Sequence, residues 1–359
     1  MAPNATPGPP SRGVTGPLAV FMLVMLISGA LNTLLMKFMV MQSVPTGPGG
    51  HSTGFEHPFF QSLLMMIGEF LCLGAYFCTR KEQDVMKVQH APVHVFMIAC
   101  LLDWTATTLV NMAYVVIPAS VVQMTRGAIV IFTCLFSVLF LGRRQHGYHI
   151  AGVGLVFVGI SLVSLSAFIN PTDATAAGSQ KPLAVSARLA GIALCVGAQV
   201  FQASMLVYEE RIMSRFSTPP LQVVGMEGAC GIVVGMIVLS ALNALNLEST
   251  SAALYQMSHS QPLLVAVIGS IFSIAFFNYS GVTVTQQASA VARSTVDVSR
   301  TILIWVAELC LHWHAFNSLQ LVGFVVLAIG TLLYNRLIVV PALEPRPEAL
   351  PTLGAEKAA

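Results

Sequence analysis

Ten apolar stretches divide the chain, near 17–41, 58–78, 93–116, 119–141, 148–168, 187–208, 221–244, 261–283, 288–311 and 316–340. Each exceeds the roughly 18 residues a helix needs to cross a bilayer core. Leu, Met, Gly and Ala run through them without the alternation of a barrel strand, so the pattern predicts helices. Polar residues gather between the stretches. The longest connections, near 43–57, 169–186 and 245–260, read as loops, and the Pro/Gly/Ala-rich tails 1–16 and 341–359 read as disordered. No connection is long enough for a separate domain, which leaves the function to the helical bundle. The first stretch is too long for a signal peptide and carries Asn32 and Lys37, so it reads as a retained helix.

Composition sharpens this picture. Only 9% of the residues are charged and 55% are hydrophobic, with a mean hydropathy of +0.78. Soluble domains carry about 25% charged residues, so this is a polytopic membrane protein. Lys+Arg 17 against Asp+Glu 15, with no basic run, excludes nucleic acid as a partner. Placing alternate connections on opposite sides puts eleven Lys/Arg with the tails and even-numbered loops, counting Arg336 with the tail that its stretch leads into. Only Lys181 and Arg188, the latter at the very start of its stretch, go with the odd-numbered loops, and four more lie within stretches. That bias predicts cytosolic termini. All seven cysteines lie in stretches or at their ends, so no disulfide framework is expected. The sequons at Asn4 and Asn278 fall on the cytosolic side and inside a span, and neither should be glycosylated.

Ten stretches invite a five-plus-five comparison. Gly152 and Gly159 map onto Gly323 and Gly330 at one offset, Arg126 maps onto Arg300, and Ala119–Ser120 maps onto Ala288–Ser289 with a short gap. An odd number of spans per copy turns the second copy upside down. The expected fold is therefore all-α, ten transmembrane helices as two inverted five-helix repeats, 17–168 and 187–340, joined by a lumenal loop at 169–186. Such folds place a substrate site at the midplane between halves.

A charge at the bilayer centre costs about 2.5–3.5 kcal/mol on insertion scales, so charges there need partners or a watery cavity. Nine ionisable residues lie within the stretches: Lys37, Glu69, Asp103, Arg126, Glu227, Arg293, Asp297, Arg300 and Glu308. Glu69, Asp103 and Arg300 are deepest. Lys37 and Glu308 sit close enough to one end to reach the headgroups. Arg293, Asp297 and Arg300 are spaced four and three apart on one helical face. They form either a self-satisfied stripe or a site that leaves one guanidinium for an anion, and Arg126 in the partner position would complete a bidentate site for carboxylate or phosphate. Asn111, Gln123, Gln199, Gln202 and Asn278 are either interhelical glue or polar lining. Glu209 and Glu210, in YEERIM (208–213), are expected at the cytosolic interface as gate or surface charges. His312 and His314 flank Trp313 without a third ligand, so no metal is expected, nor any cofactor. The chain has no H-E-x-x-H, G-x-S-x-G or Walker motif, so an enzyme is not indicated.

The runs QMTRGAIVIFTCLFSVLFLGRR (123–144), IAFFNYSGVTVTQQASAVARSTVDVSRTILIW (274–305) and GFVVLAIGTLLYN (323–335) resemble the drug/metabolite transporter superfamily. GEFLCL (68–73), LDWTATTLVNMAY (102–114) and GMEGACG (225–231) point within it to the solute carrier 35 family, subfamily F. The resemblance implies two inverted repeats, alternating access, a lysosomal or Golgi membrane, and a cargo related to nucleotide sugars. It extends by fold to chloroquine-resistance-type transporters, whose stapled lumenal loops this chain lacks the cysteines to make. Three functions stay open. The first is a carrier of an anionic metabolite, with Arg126, Arg300, Arg293, Asn111, Gln123, Asn278 and Gln199 as substrate contacts and Glu69, Asp103, Glu227 and Asp297 balancing charge or carrying a proton. The second is a proton-coupled exporter of cationic or neutral solutes or peptides that works through the carboxyls. The third is a membrane adaptor that transports nothing. The expected partners are a small molecule and the lipid bilayer, with a homodimer or a protein partner left open.

Overall fold

The structure, a computed structural model, describes residues 16–45, 52–55, 57–79, 91–116, 122, 125–142, 145–169, 185–216, 218–311, 318–335 and 337–343. It is almost wholly helical. In chain order come α1 (Gly16–Met41), the two-residue strands β1 (Val44–Pro45) and β2 (Ser52–Thr53), α2 (Pro58–Thr79), α3 (Val93–Val116), α4 (Ala128–Leu141) and α5 (Gly147–Ile169). Then follow α6 (Val185–Phe216), α7 (Pro220–Ala244), α8 (Thr250–His259), α9 (Gln261–Gln287), α10 (Ala290–Cys310) and α11 (Ser318–Tyr334). Every apolar stretch of the sequence is occupied by a helix. Six helices, α1, α2, α3, α6, α7 and α9, are long and apolar enough to cross a membrane. Among the described residues α4, the Gly147–Leu162 part of α5 and α11 are shorter apolar helices, and α10 carries Arg293, Asp297, Arg300 and Glu308.

Local chemistry sets the boundaries. Ser249, Ser260 and Ser289 each accept a backbone N–H three residues on, which starts α8, α9 and α10. Gly142, at φ 63°, ends α4 in the left-handed conformation that glycine adopts without strain. Three expectations change. Residues 245–260 hold helix α8 rather than a loop alone, because Asn243 bonds both the N–H and the hydroxyl of Thr250 and pins its start. Within 43–57, Val44 pairs with Thr53 in a small antiparallel bridge. α6 runs on to Phe216, past the expected end at 208, because that last part is buried by its neighbours. The segment 170–184 and residues 1–15 and 344–359 of the tails lie outside the described residues.

The most extensive helix pairings are α5 with α11, α2 with α7, α1 with α9 and α3 with α6. Next come α2 with α9, α4 with α6, α1 with α10 and α3 with α7. Lipid supplies no hydrophobic drive between helices, so close backbone approach has to do the work. Between α5 and α11 the backbones touch at four glycines, crosswise. A Cβ on Gly159 would lie 2.7 Å from the Gly323 carbonyl oxygen, and one on Gly330 would lie 2.8 Å from that of Gly152. On α7, Gly225, Gly228 and Gly231 receive Leu73, Glu69 and Met66 of α2. The outer faces expose large apolar side chains such as Leu139, Phe140, Ile237 and Phe276, as a lipid-facing surface requires.

One end of the bundle is tied by polar contacts. The Glu248 carboxylate accepts the N–H groups of Phe59 (3.3 Å) and Phe60 (3.0 Å), capping α2 from a distant part of the chain. Gln256 of α8 donates to the Val44 carbonyl (3.1 Å) and to Thr53 Oγ1 (3.3 Å). Lys37 of α1 pairs with Glu308 of α10 at 2.7 Å, so these two ends meet each other rather than only reaching for headgroups.

Gly159→Ala should cost about 1–3 kcal/mol by overpacking, because its Cβ would meet the Leu327 and Gly323 backbones at 2.6 and 2.7 Å. Gly154→Ala, with nothing within 4 Å, should leave the thermal midpoint unchanged. Melting curves of the two variants in detergent check the contrast. Burial holds the Glu248 carboxyl above its ordinary value of 4.5, against the pull of the two N–H donors. A raised folded-state pKa means the folded protein holds this proton more tightly than the unfolded chain does. Its contribution is full below pH 4.5 and fades as pH rises through the folded value. The stability of wild type relative to Glu248→Gln should therefore fall as pH rises above 4.5, and then level off. A difference that grows with pH would assign the larger effect to the N–H bonds.

Candidate functional site

Helix α10 organises the polar interior. Its first turn is aimed at the last part of α6: Ala290 N–H donates to Glu210 Oε2 at 2.6 Å, placing an acidic group at the positive end of the helix dipole. One turn on, Arg293 forms an ion pair with Glu209 of α6, both side chains being almost fully buried. The guanidinium needs room, which α9 provides at Gly281, where a Cβ would lie 2.6 Å from Arg293 Nε. Glu227 of α7 lies beside Glu209, carboxyl group next to carboxyl group. Glu69 of α2, 4% exposed, accepts Asn278 Nδ2 of α9 at 2.6 Å. Asp103 of α3 accepts Gln202 Nε2 of α6 at 3.3 Å. Arg293 and Arg126 both lie within electrostatic range of Asp103, and Arg293 within that of Glu69. Side chains from six helices thus form one mutually interacting set, buried at Glu69, Glu209, Glu210, Glu227 and Arg293.

Two turns beyond Arg293, Arg300 occupies a second setting. Its Nε lies 3.2 Å from Asp297, its guanidinium stacks 4.9 Å from the Phe277 ring centre, and Gly29 of α1 opens space for Nη1. Arg126, Gly127, Asp297, Val298, Arg300 and Thr301 line a narrow cleft between the start of α4 and the middle of α10, with room for a water-sized group. The expected Arg–Asp–Arg face is therefore divided: Asp297 serves Arg300, while Arg293 turns to another helix.

The sequence-derived candidates fall into separate places. Arg126, Asp297 and Arg300 share the cleft, and Arg293, Glu69, Asp103, Glu227 and Asn278 belong to the buried set. Gln199 is buried on α6 at 3% exposure. Asn111 instead ties α3 to the first turn of α2, donating to the Pro58 carbonyl (3.1 Å) and Ser62 Oγ (3.0 Å). That is about 16 Å along α2 from Glu69. Gln123, like His312 and His314, lies outside the described residues. Glu209 and Glu210 correct the sequence reading: they are 0% and 5% exposed, not surface charges. The signal was present. Met205, Leu206, Ile212 and Met213 continue one helical face that includes position 209, and all four are buried.

A helical bundle with six membrane-length helices and a buried network of opposed charges has the construction of a membrane transporter. The model of the UAA transporter family matches residues 20–338. Solute carrier family 35 member F6 of Homo sapiens is 35% identical over 331 residues, covering 88% of this chain and 87% of that protein. The Mus musculus protein of the same name is 36% identical over 332 residues. An uncharacterized protein of Schizosaccharomyces pombe is 30% identical over 341 residues, covering 90% of this chain and 98% of its own. A solved crystal structure aligns with a TM-score of 0.61 over 90% of this chain and 98% of its own, at 15% identity, a likeness of fold alone. The chain belongs to the UAA transporter family and, within it, to solute carrier family 35, subfamily F.

Removing one member of the Arg293–Glu209 pair leaves a buried charge alone, so Glu209→Ala or Arg293→Ala should cost about 3–5 kcal/mol. Replacing both with apolar residues, Glu209→Leu with Arg293→Met, should cost less than either single change. Thermal melts of the three variants give the coupling; additive losses would mean the pair is not a unit.

Proposed function

We propose that the protein is a secondary active transporter that moves a small anionic metabolite of the nucleotide-sugar kind across an endomembrane. In this reading ten helices cross the membrane as two inverted repeats, with both termini in the cytosol and the membrane that of a lysosome or Golgi compartment. The helix pairings support the repeat. Exchanging α1–α5 with α6, α7, α9, α10 and α11, in order, turns α1–α9 into α6–α3, α1–α10 into α6–α4, and α2–α9 into α7–α3, each a pairing that occurs. α2–α7 and α5–α11 map onto themselves. The crosswise glycine contacts of α5 and α11 obey the same twofold relation.

The observation that carries the anionic cargo is the cleft in which Arg126 and Arg300, at counterpart positions of the two repeats, face one space with Asp297 beside them. Two guanidiniums across a pseudo-twofold axis suit a carboxylate or a phosphate, each offering paired N–H donors. Asp297 holds Arg300 until the anion displaces it. Gln199 and Gln123 add polar contacts, while Arg293 and Asn278 act from behind, through Glu209 and Glu69. The cleft admits only a water-sized group with the helices as they stand, so a metabolite enters when the two halves part, as alternating access requires. A second reading, a proton-coupled carrier of cationic or neutral solutes, draws support from the surplus of carboxyls: Glu69, Asp103, Glu209 and Glu227 outnumber the two arginines near them.

In proteoliposomes, saturable uptake of nucleotide sugars or nucleoside monophosphates is expected for wild type and its loss for Arg300→Ala. At 100 times Kd the same ligand should stabilise wild type by about 2.7 kcal/mol and leave the variant unmoved. Undiminished uptake by a folded Arg300→Ala protein would overturn the anion site.

A further inference from the structure

We propose that Glu209 of α6 and Glu227 of α7 form a proton-binding site in which the two carboxyl groups share one proton, and that exchange of this proton accompanies transport. The proton site stands on the geometry below; its link to transport rests on the function proposed above.

The partners of each oxygen define the site. Glu209 gives Oε2 to Arg293. Glu209 Oε1 and Glu227 Oε1 are buried and meet no N–H or O–H donor among the described residues. The two carboxyl groups stand beside each other, side chain against side chain. Two ionised carboxylates offer only acceptors and repel, so the contact exists only with a proton between them. Because Glu209 is already committed as acceptor to a cation, the donor is Glu227.

Among the described residues no amide or cation donates to Glu227 Oε1. Glu69 has the Asn278 amide and Asp103 the Gln202 amide, so each has a neutral donor that Glu227 lacks. The other groups within electrostatic range of Glu227 are the thiol of Cys100 on α3 and Tyr208 on α6. Arg211 is turned outward and exposed. Four carboxyls around Arg293 and Arg126 would leave an excess negative charge in a low-dielectric interior, which bound protons relieve.

The site also lies near the connection between the two helices. Glu209 stands seven residues from the end of α6 and Glu227 seven from the start of α7, about 10 Å of helix from the connection between them. When a water molecule reaches the pair, the Glu227 O–H bond breaks, the proton passes to water, and the electron pair stays on the Glu227 oxygen. Arg293 is then shared by two carboxylates. Protonation from the opposite side of the membrane reverses the step.

Infrared spectra of the full-length protein between pH 5 and pH 9 test the proton directly. The expected result is a protonated-carboxyl C=O band at pH 7 that is absent from Glu227→Gln and displaced in Glu227→Asp, which covers the case that the first variant does not fold. A band the same in all three proteins would overturn the site. Uptake of radiolabelled UMP and UDP-glucose into proteoliposomes, with and without an imposed pH gradient, tests the coupling. A several-fold ratio in wild type should fall to one in Glu227→Gln, and a ratio kept by the variant would overturn the coupling. If neither nucleotide moves in wild type, the anionic-cargo reading fails, while the infrared band still decides the proton site.

Discussion

A guanidinium buried between membrane helices has to be neutralised where it stands, and much of the interior of this protein is arranged around that requirement at Arg293. The ion pair with Glu209 fixes α6 against α10, and Gly281 gives the side chain space on α9. The glutamate in turn engages Glu227 on α7, so a single charge sets the relative positions of four helices. The neighbouring acids Glu69 and Asp103 are each held by an amide from another helix, which extends the network to α2 and α3. Buried polar groups are costly unless fully partnered, and this one is partnered almost throughout. The oxygens left over on Glu209 and Glu227 are exceptions.

Outside that network, adhesion depends on shape. Helices in lipid gain little from hiding apolar side chains, since the lipid is equally apolar, and they gain from close contact between backbones. The glycines of α5, α7 and α11 make such contact, and the crosswise pairing of Gly152 with Gly330 and Gly159 with Gly323 lets two helices approach along their whole length. The interfaces differ in kind. α5–α11 and α2–α7 are close backbone contacts built on glycines, whereas α10 meets α6 and α9 through charge. Packed contacts of the first kind suit rigid units, and charged contacts of the second suit surfaces that must exchange partners.

The end of the bundle that carries the β1–β2 pair and α8 follows a third logic. There the chain leaves the helices and its polar backbone needs partners, which Glu248, Gln256 and the Lys37–Glu308 pair provide. Glu248 caps a helix whose first turn lies 188 residues before it in sequence, tying the start of α2 to the exit of α7. Opening that end would have to loosen these contacts first.

Sequence alone determined the helical class, the positions of the apolar stretches and the list of deep charges, because each of these is a local property. Hydropathy over some twenty residues selects a helix that lipid can surround, a serine before a helix caps it, and a charge inside an apolar run is visible wherever it lies. The four glycines were legible for the same reason, as a repeated spacing. What the sequence could not decide was partnership. Asp297 stood equally near Arg293 and Arg300 along one helix, and only the approach of α6 gave Arg293 to Glu209 and left Asp297 with Arg300. Asn111 looked like a member of the site and is a strut between α2 and α3, while Glu209 looked like a surface charge and is among the most buried residues of the chain. The reason is physical: a charge in a low-dielectric interior is stabilised by whichever counter-charge the folding of distant segments brings within a few ångströms, and no spacing along the chain encodes that distance.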